Sequence, residues 1–179
     1  MIRNASEESL RKTDERFMRM AIRKAKEAYR KNEVPIGAVI VKDGVPVAYG
    51  RNAREEKKDA LLHAEIDAIR KACRKLGAWR LEGCTLYVTM EPCPMCAGAV
   101  INSRISRVVY GCSDPKAGVF GSRLDLRDYA FNHYYEVESG VLKDECASLL
   151  SGFFAELRTR KNRKPLPGEE EPRESESTK

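Results

Sequence analysis

Two short stretches hold the residue types that do chemistry: His63-Ala64-Glu65 and Pro92-Cys93-Pro94-Met95-Cys96. Together they offer one imidazole, two thiols and one carboxylate. Zinc takes nitrogen and sulfur donors in a tetrahedron, and a catalytic zinc keeps one corner open for water. His63, Cys93 and Cys96 would fill three corners. Glu65 would stay unligated, close enough to move protons. The two Cys flank a Pro-Met dipeptide, so one tight turn or helix start can aim both sulfurs at one point.

The Cys-x-x-Cys spacing alone is ambiguous, because a redox pair uses the same spacing. A structural zinc would use the same ligands plus a fourth, for which Cys84, Cys112 and His133 are candidates. Cys73 and Cys146 fit helix stripes as small core residues, whereas Cys84 and Cys112 fall in expected loops. The upstream His-x-Glu and the prolines around Cys93 favour catalysis. That combination resembles the signature of zinc deaminases acting on nucleobases. Zinc lowers the pKa of its water to about 7, which supplies hydroxide to attack an amidine-like ring carbon. Glu65 would take the water proton, pass it to the ring nitrogen and protonate departing ammonia.

The elements that position these groups can be read from the pattern of the chain. Its 179 residues suit a single domain with a tail, and a formal charge of +6 modestly favours polyanionic partners. No apolar signal region follows Met1 and no run is long enough to span a bilayer, so a cytoplasmic protein with reduced thiols and no membrane partner is expected. Residues 1–12 read as a flexible, charged leader. Thr13 reads as an N-cap with Asp14 and Glu15 in the first turn. Phe17, Met20, Ala21, Ala25, Ala28 and Tyr29 then predict a helix from Thr13 to Lys31. Ile36–Val41 and Val45–Tyr49, joined by Asp43-Gly44, predict a β-hairpin. Gly37 inside it implies close approach by substrate or another backbone.

A polar loop from Arg51 to Asp59 carries Asn52, read as either a turn residue or a base or ribose contact. Leu61–Leu76 predicts a helix with Ile66, Ile69, Cys73 and Leu76 as its buried stripe. Residues two apart on a helix point roughly 200° away from each other. His63 must therefore precede regular helix if Glu65 is to share its site. Thr85–Thr89 predicts a strand, Cys96–Ile101 a helix apolar on every side, and Arg107–Gly111 another strand. A loop over Cys112–Asp128 contains Asp114, Lys116 and Arg123 and is placed for substrate contacts. A strand over Glu136–Ser139 follows. The last helix has Cys146, Leu149, Leu150, Phe153, Phe154 and Leu157 as its stripe, and ends in the basic block Arg158 to Lys164. The deaminase domain is thus expected over 13–160, and a basic-then-acidic disordered tail over 161–179. The alternation predicts a three-layer α/β/α domain on a five-stranded mixed sheet.

With these blocks in place, the chain resembles the cytidine deaminase-like superfamily and, more narrowly, bacterial tRNA-specific adenosine deaminases of the TadA type. The similarity runs from about Phe17 to Arg160. It includes Glu33 to Val39, the His63-Ala64-Glu65 box, Glu91 to Ala99, Arg107 to Gly111, Asp114 to Gly118 and Asn132-His133. The resemblance implies hydrolytic conversion of adenosine to inosine at the wobble position of a tRNA anticodon stem-loop. It also implies one zinc per subunit on His63, Cys93 and Cys96, with Glu65 as proton shuttle. Asn52 would touch the target nucleoside, and Asp114 its ribose or the nearby backbone. A homodimer is implied as well. The chain departs from the family at Asp59-Ala60-Leu61-Leu62, where Asp-Pro-Thr-Ala is usual, and at Tyr134, where Arg is frequent. Deamination of a free nucleobase or nucleotide of guanine or cytosine type would use the same zinc box. A non-catalytic zinc-dependent RNA-binding module is the other rival, but it would not need Glu65.

Overall fold

The computed structural model describes residues 5–162. Helix α1 spans Ala5–Arg30 and is followed by the hairpin β1 (Gly37–Lys42) and β2 (Val45–Arg51). A one-turn helix α2 (Arg54–Lys57) leads to α3 (Ala64–Leu76), β3 (Cys84–Met90), α4 (Pro94–Ser103) and β4 (Arg107–Cys112). β5 (Glu136–Ser139) and α5 (Lys143–Asn162) complete the order. The five strands form one sheet in the order β2-β1-β3-β4-β5. β1 runs antiparallel to β2 and β3, while β3, β4 and β5 are parallel, so the sheet is mixed as expected.

Strand alternation sorts the core into two layers. Ala38, Ile40, Leu86, Val88, Val108 and Tyr110 pack with α3 and α4. Val39, Val41, Tyr87 and Val109 face the other way and pack with Phe17, Met18 and Ile22 of α1 and Cys146 and Leu150 of α5. The hairpin turns at Asp43 and Gly44, both at positive φ (50° and 72°), the conformation that two-residue hairpins favour. Among the described residues no helix is long and apolar enough to cross a membrane.

Several local expectations are corrected. From Ala5 on, the leader is exposed helix belonging to α1. Thr13 is no N-cap, since its hydroxyl donates to Ser9 O at 3.0 Å in mid-helix. Asp14, expected to serve the helix dipole, is instead buried and accepts from Tyr87 Oη (2.8 Å) and both Arg107 terminal nitrogens (2.7 and 2.8 Å). The close approach at Gly37 is by another backbone: a Cβ there would overlap Ala21 O and Ala25 N of α1.

Gly50 plays the same part on the opposite face, against Ala64 O and Ala68 N of α3. This tight fit explains the misplaced α3 stripe. The buried residues are Ala64, Glu65, Ala68, Ile69 and Ala72, because only small side chains let the helix descend onto a glycine. Leu76 is exposed and Ile66 and Cys73 are half-buried. α4 is not buried all round: Cys96, Ala97, Val100 and Ile101 are inside, while Pro94 and Asn102 are exposed and Met95, Gly98 and Ala99 half-exposed. On α5, Cys146, Leu150 and Phe153 are buried, but Phe154 is exposed. Arg163 and Lys164, with the rest of the expected tail, lie outside the described residues.

Candidate active site

His63 and Cys93 occupy equivalent positions. Each is the extended residue just before a helix, His63 at φ −76°, ψ 159° ahead of α3 and Cys93 at φ −78°, ψ 172° ahead of α4. Each carbonyl accepts the first helical bond, from Asp67 N (3.0 Å) and Ala97 N (2.9 Å) respectively. His63 therefore precedes regular helix, as the spacing to Glu65 requires. Pro94 takes the first helical position of α4, where a missing N–H costs nothing. Cys96 follows in the first turn. Two positive helix ends thus converge on the sulfurs, which favours thiolates.

The ligand atoms of His63, Cys93 and Cys96 all lie within 4.8 Å of one another. His63 Nδ1 is 3.7 Å from Cys93 Sγ and 3.6 Å from Cys96 Sγ. Nitrogen and sulfur donors at about 2.0 and 2.3 Å from a tetrahedral ion lie roughly 3.5 Å apart, so the donor set fits a metal without rearrangement. Cys96 is fully buried, while His63 and Cys93 are half-exposed, which leaves an approach from one side. Donation from Cys96 holds the Cys93 thiol down to about 4, helped by His63. The same sharing pushes Cys96 upward, so one proton serves the pair.

Glu65 is 4% exposed, and its Oε2 has no hydrogen-bond partner. Burial pushes its carboxyl up to about 7, against the downward pull of a backbone N–H and His63. A buried carboxylate with a free oxygen beside three metal donors can exchange a proton with a substrate.

The three candidates for a fourth ligand are engaged elsewhere. Cys84 and Cys112 are not in loops but open β3 and close β4, and Cys112 Sγ donates to Thr89 O at 3.4 Å. His133 Nε2 lies 2.7 Å from Ile105 O, and its ring stacks on Tyr135 at 5.9 Å. Asn52 is buried just past β2. Its Nδ2 donates to Glu33 Oε2 at 3.2 Å, and the next N–H, that of Ala53, donates to Leu62 O, one residue before His63. Asp114 is half-buried at the head of the loop after β4 and accepts from Lys116 N (2.9 Å) and Ala117 N (3.2 Å). That loop reaches the site where Val119 N donates to Pro92 O (3.2 Å), beside Cys93. Asn52 and Asp114 therefore sit on the segments that border the ligands.

Two further residues went unread in the sequence. Glu33, 1% exposed, orients Asn52 and accepts from Glu56 N at 2.7 Å. Glu91, 3% exposed, accepts from the loop that carries Asp114. The available signal was a carboxylate at the edge of an apolar run, next to a proline at Glu91 and two residues before one at Glu33, where a charge is rarely buried unless paired.

A family model described as MafB19-like deaminase matches residues 12–158. The chain is 54% identical over 149 residues to a tRNA-specific adenosine deaminase of Bacillus subtilis, covering 83% of this chain and 92% of the relative. It is 46% identical over 150 residues to that of Haemophilus influenzae, covering 83% and 87%. A solved structure from work on A-to-I editing by tRNA deaminases at the wobble position of transfer RNA superposes with a TM-score of 0.73 at 44% identity, covering 75% of this chain and 99% of that one. A guanine deaminase from Nitrosomonas europaea superposes at 0.70 with 25% identity, covering 79% and 84%.

Proposed function

The chain belongs to the deaminase family that the MafB19-like model and the tRNA-specific adenosine deaminases define, and from that premise we propose that it hydrolyses adenosine to inosine at the wobble position of a tRNA anticodon. One observation carries the reading: a buried carboxylate with an unpartnered oxygen stands beside a three-donor metal group. A redox pair or a structural metal site has no use for that carboxylate.

His63, Cys93 and Cys96 would hold one zinc per subunit. Zinc, when bound there, acts as a Lewis acid that makes water nucleophilic near neutral pH. Glu65 supplies the proton transfers. It removes one proton from the attacking water and delivers it to the purine N1, then takes the remaining proton from the hydroxyl now on C6 and passes it to the amino group as the C6–N bond breaks and ammonia departs. The water oxygen remains on C6, so adenosine and water give inosine and ammonia. Burial lifts Glu65 to about 7, a poise that suits a group that must both take and return a proton. Asn52, fixed by Glu33, orients the flipped nucleoside, and Asp114 meets its ribose or the neighbouring backbone. Basic side chains suit the phosphates. Arg158 is exposed on α5, whereas Arg160 already bonds Asn32 Oδ1 at 2.7 Å.

A second copy of the chain completes the RNA site. The part-exposed apolar face of α4 supports this, since a Cβ on Gly98 would meet nothing within 4 Å. A tRNA-directed activity supports a cytoplasmic location for the enzyme. The test pairs an anticodon stem-loop with free adenosine and guanine. Ammonia should be released from the stem-loop alone, and Glu65→Ala should keep zinc and RNA binding while losing roughly 10²–10⁴-fold in rate. Turnover of guanine, or full activity in Glu65→Ala, would overturn the reading.

A further inference from the structure

We infer that Glu91 is a positioning residue: its buried carboxylate is the seat on which the substrate-facing loop after β4 is built, and it ties that loop to the cysteine ligands. Four donors converge on it. Oε1 accepts from Phe120 N (2.8 Å) and Ser122 N (3.1 Å), and Oε2 accepts from Asp114 N (3.0 Å) and from Ser122 Oγ. The donors come from Asp114 at the head of the loop and from Phe120 and Ser122 farther along, so a single side chain closes this first part of it into a ring. Gly118 leaves the carboxylate its room, because a Cβ there would overlap Glu91 Cδ and Oε2.

The same residue is bound into the site from behind. Glu91 N donates to Cys112 O (2.8 Å), and Pro92 O accepts from Val119 N (3.2 Å). Two residues after Glu91, Cys93 begins the metal turn. Loop and ligands therefore share one short rigid segment, and a shift of either is felt by the other. All four contacts are N–H or O–H groups pointing at the carboxylate. Only an acceptor without hydrogens can meet them all, since an amide would aim its own donors at two of them.

The role in substrate placement rests on the proposed function, through Asp114. The experiment compares wild type, Glu91→Gln and Gly118→Ala for metal content, hydrogen exchange of the loop amides, and kcat and KM on an anticodon stem-loop. Glu91→Gln should retain one metal per chain, lose exchange protection either at Asp114 or at Phe120 and Ser122 according to which oxygen the amide nitrogen replaces, and raise KM about tenfold or more with a smaller change in kcat. Gly118→Ala, which keeps the carboxylate but displaces it, should show the same pattern. Unchanged protection and KM in both variants would overturn the inference. Loss of metal with an intact loop would overturn it too, by assigning Glu91 to the metal site. A wild type that ignores the stem-loop would instead sink the proposed function, while the exchange data would still report on Glu91.

Discussion

The two faces of the sheet are built with the same device and finished differently. Each receives a helix on a glycine, Gly37 under α1 and Gly50 under α3. On the α1 face the burial is large and complete. Phe17, Met18 and Ile22 help fill it, and the buried carboxylate Asp14 is met by three donors from Arg107 and Tyr87. On the other face α3 meets the sheet with alanines, above a core that includes Leu86, Val100 and Ile105, and Glu65 at its start keeps an oxygen without a partner. Buried polar groups are nearly always satisfied in folded proteins. The contrast therefore lies between a buried acid that is fully paired and one that stands beside the metal donors with an oxygen unpaired.

The largest effect that tests this contrast comes from Arg107→Ala. It strands Asp14 in the core and should cost about 3–5 kcal/mol, read as a lower denaturant midpoint, with metal content unchanged in the folded fraction. A loss of metal before unfolding would mean the two faces are not separate in function.

Next comes Glu65→Gln in chelator-treated protein. A carboxyl raised from 4.5 to about 7 in the folded state favours folding most below pH 4.5, and that advantage disappears as pH rises through about 7. At pH 8 the wild type must bury the ionised form, so the glutamine variant should be more stable by about 2–3 kcal/mol. At pH 4, below both values, the two should melt alike. Equal melting at pH 8 as well would show that Glu65 is not held under strain. The smallest effect is that of Tyr87→Phe. It removes one of the donors to Asp14 and leaves the Arg107 pair, so thermal melting should report a loss of about 1 kcal/mol.

Much of the site was legible because its logic is local. The pattern opened the helix at Leu61, three residues before its observed start at Ala64, but the spacing of His63 and Glu65 already required His63 to precede regular helix, and it is the extended residue before α3. α4 starts at Pro94, two residues before the expected Cys96, because proline is at home in a first helical turn. What stayed hidden depends on partners far along the chain. Asp14 looks like an ordinary first-turn acid until Arg107 arrives 93 residues later. Glu91 has no local partner at all, and its donors lie 23 to 31 residues on. The α3 stripe was misread because bulk was taken as the sign of burial. Over Gly50 the interior is reserved for alanine, and the larger Leu76 is turned to solvent.

The sheet borders have a consequence for assembly. β5, at one margin, shows Glu136, Glu138 and Ser139 to solvent, and β2, at the other, contains Pro46, which has no N–H to offer. Charge and proline at free margins discourage strand-to-strand accretion. Edge-to-edge fusion of two sheets into a longer ribbon is therefore disfavoured at both margins.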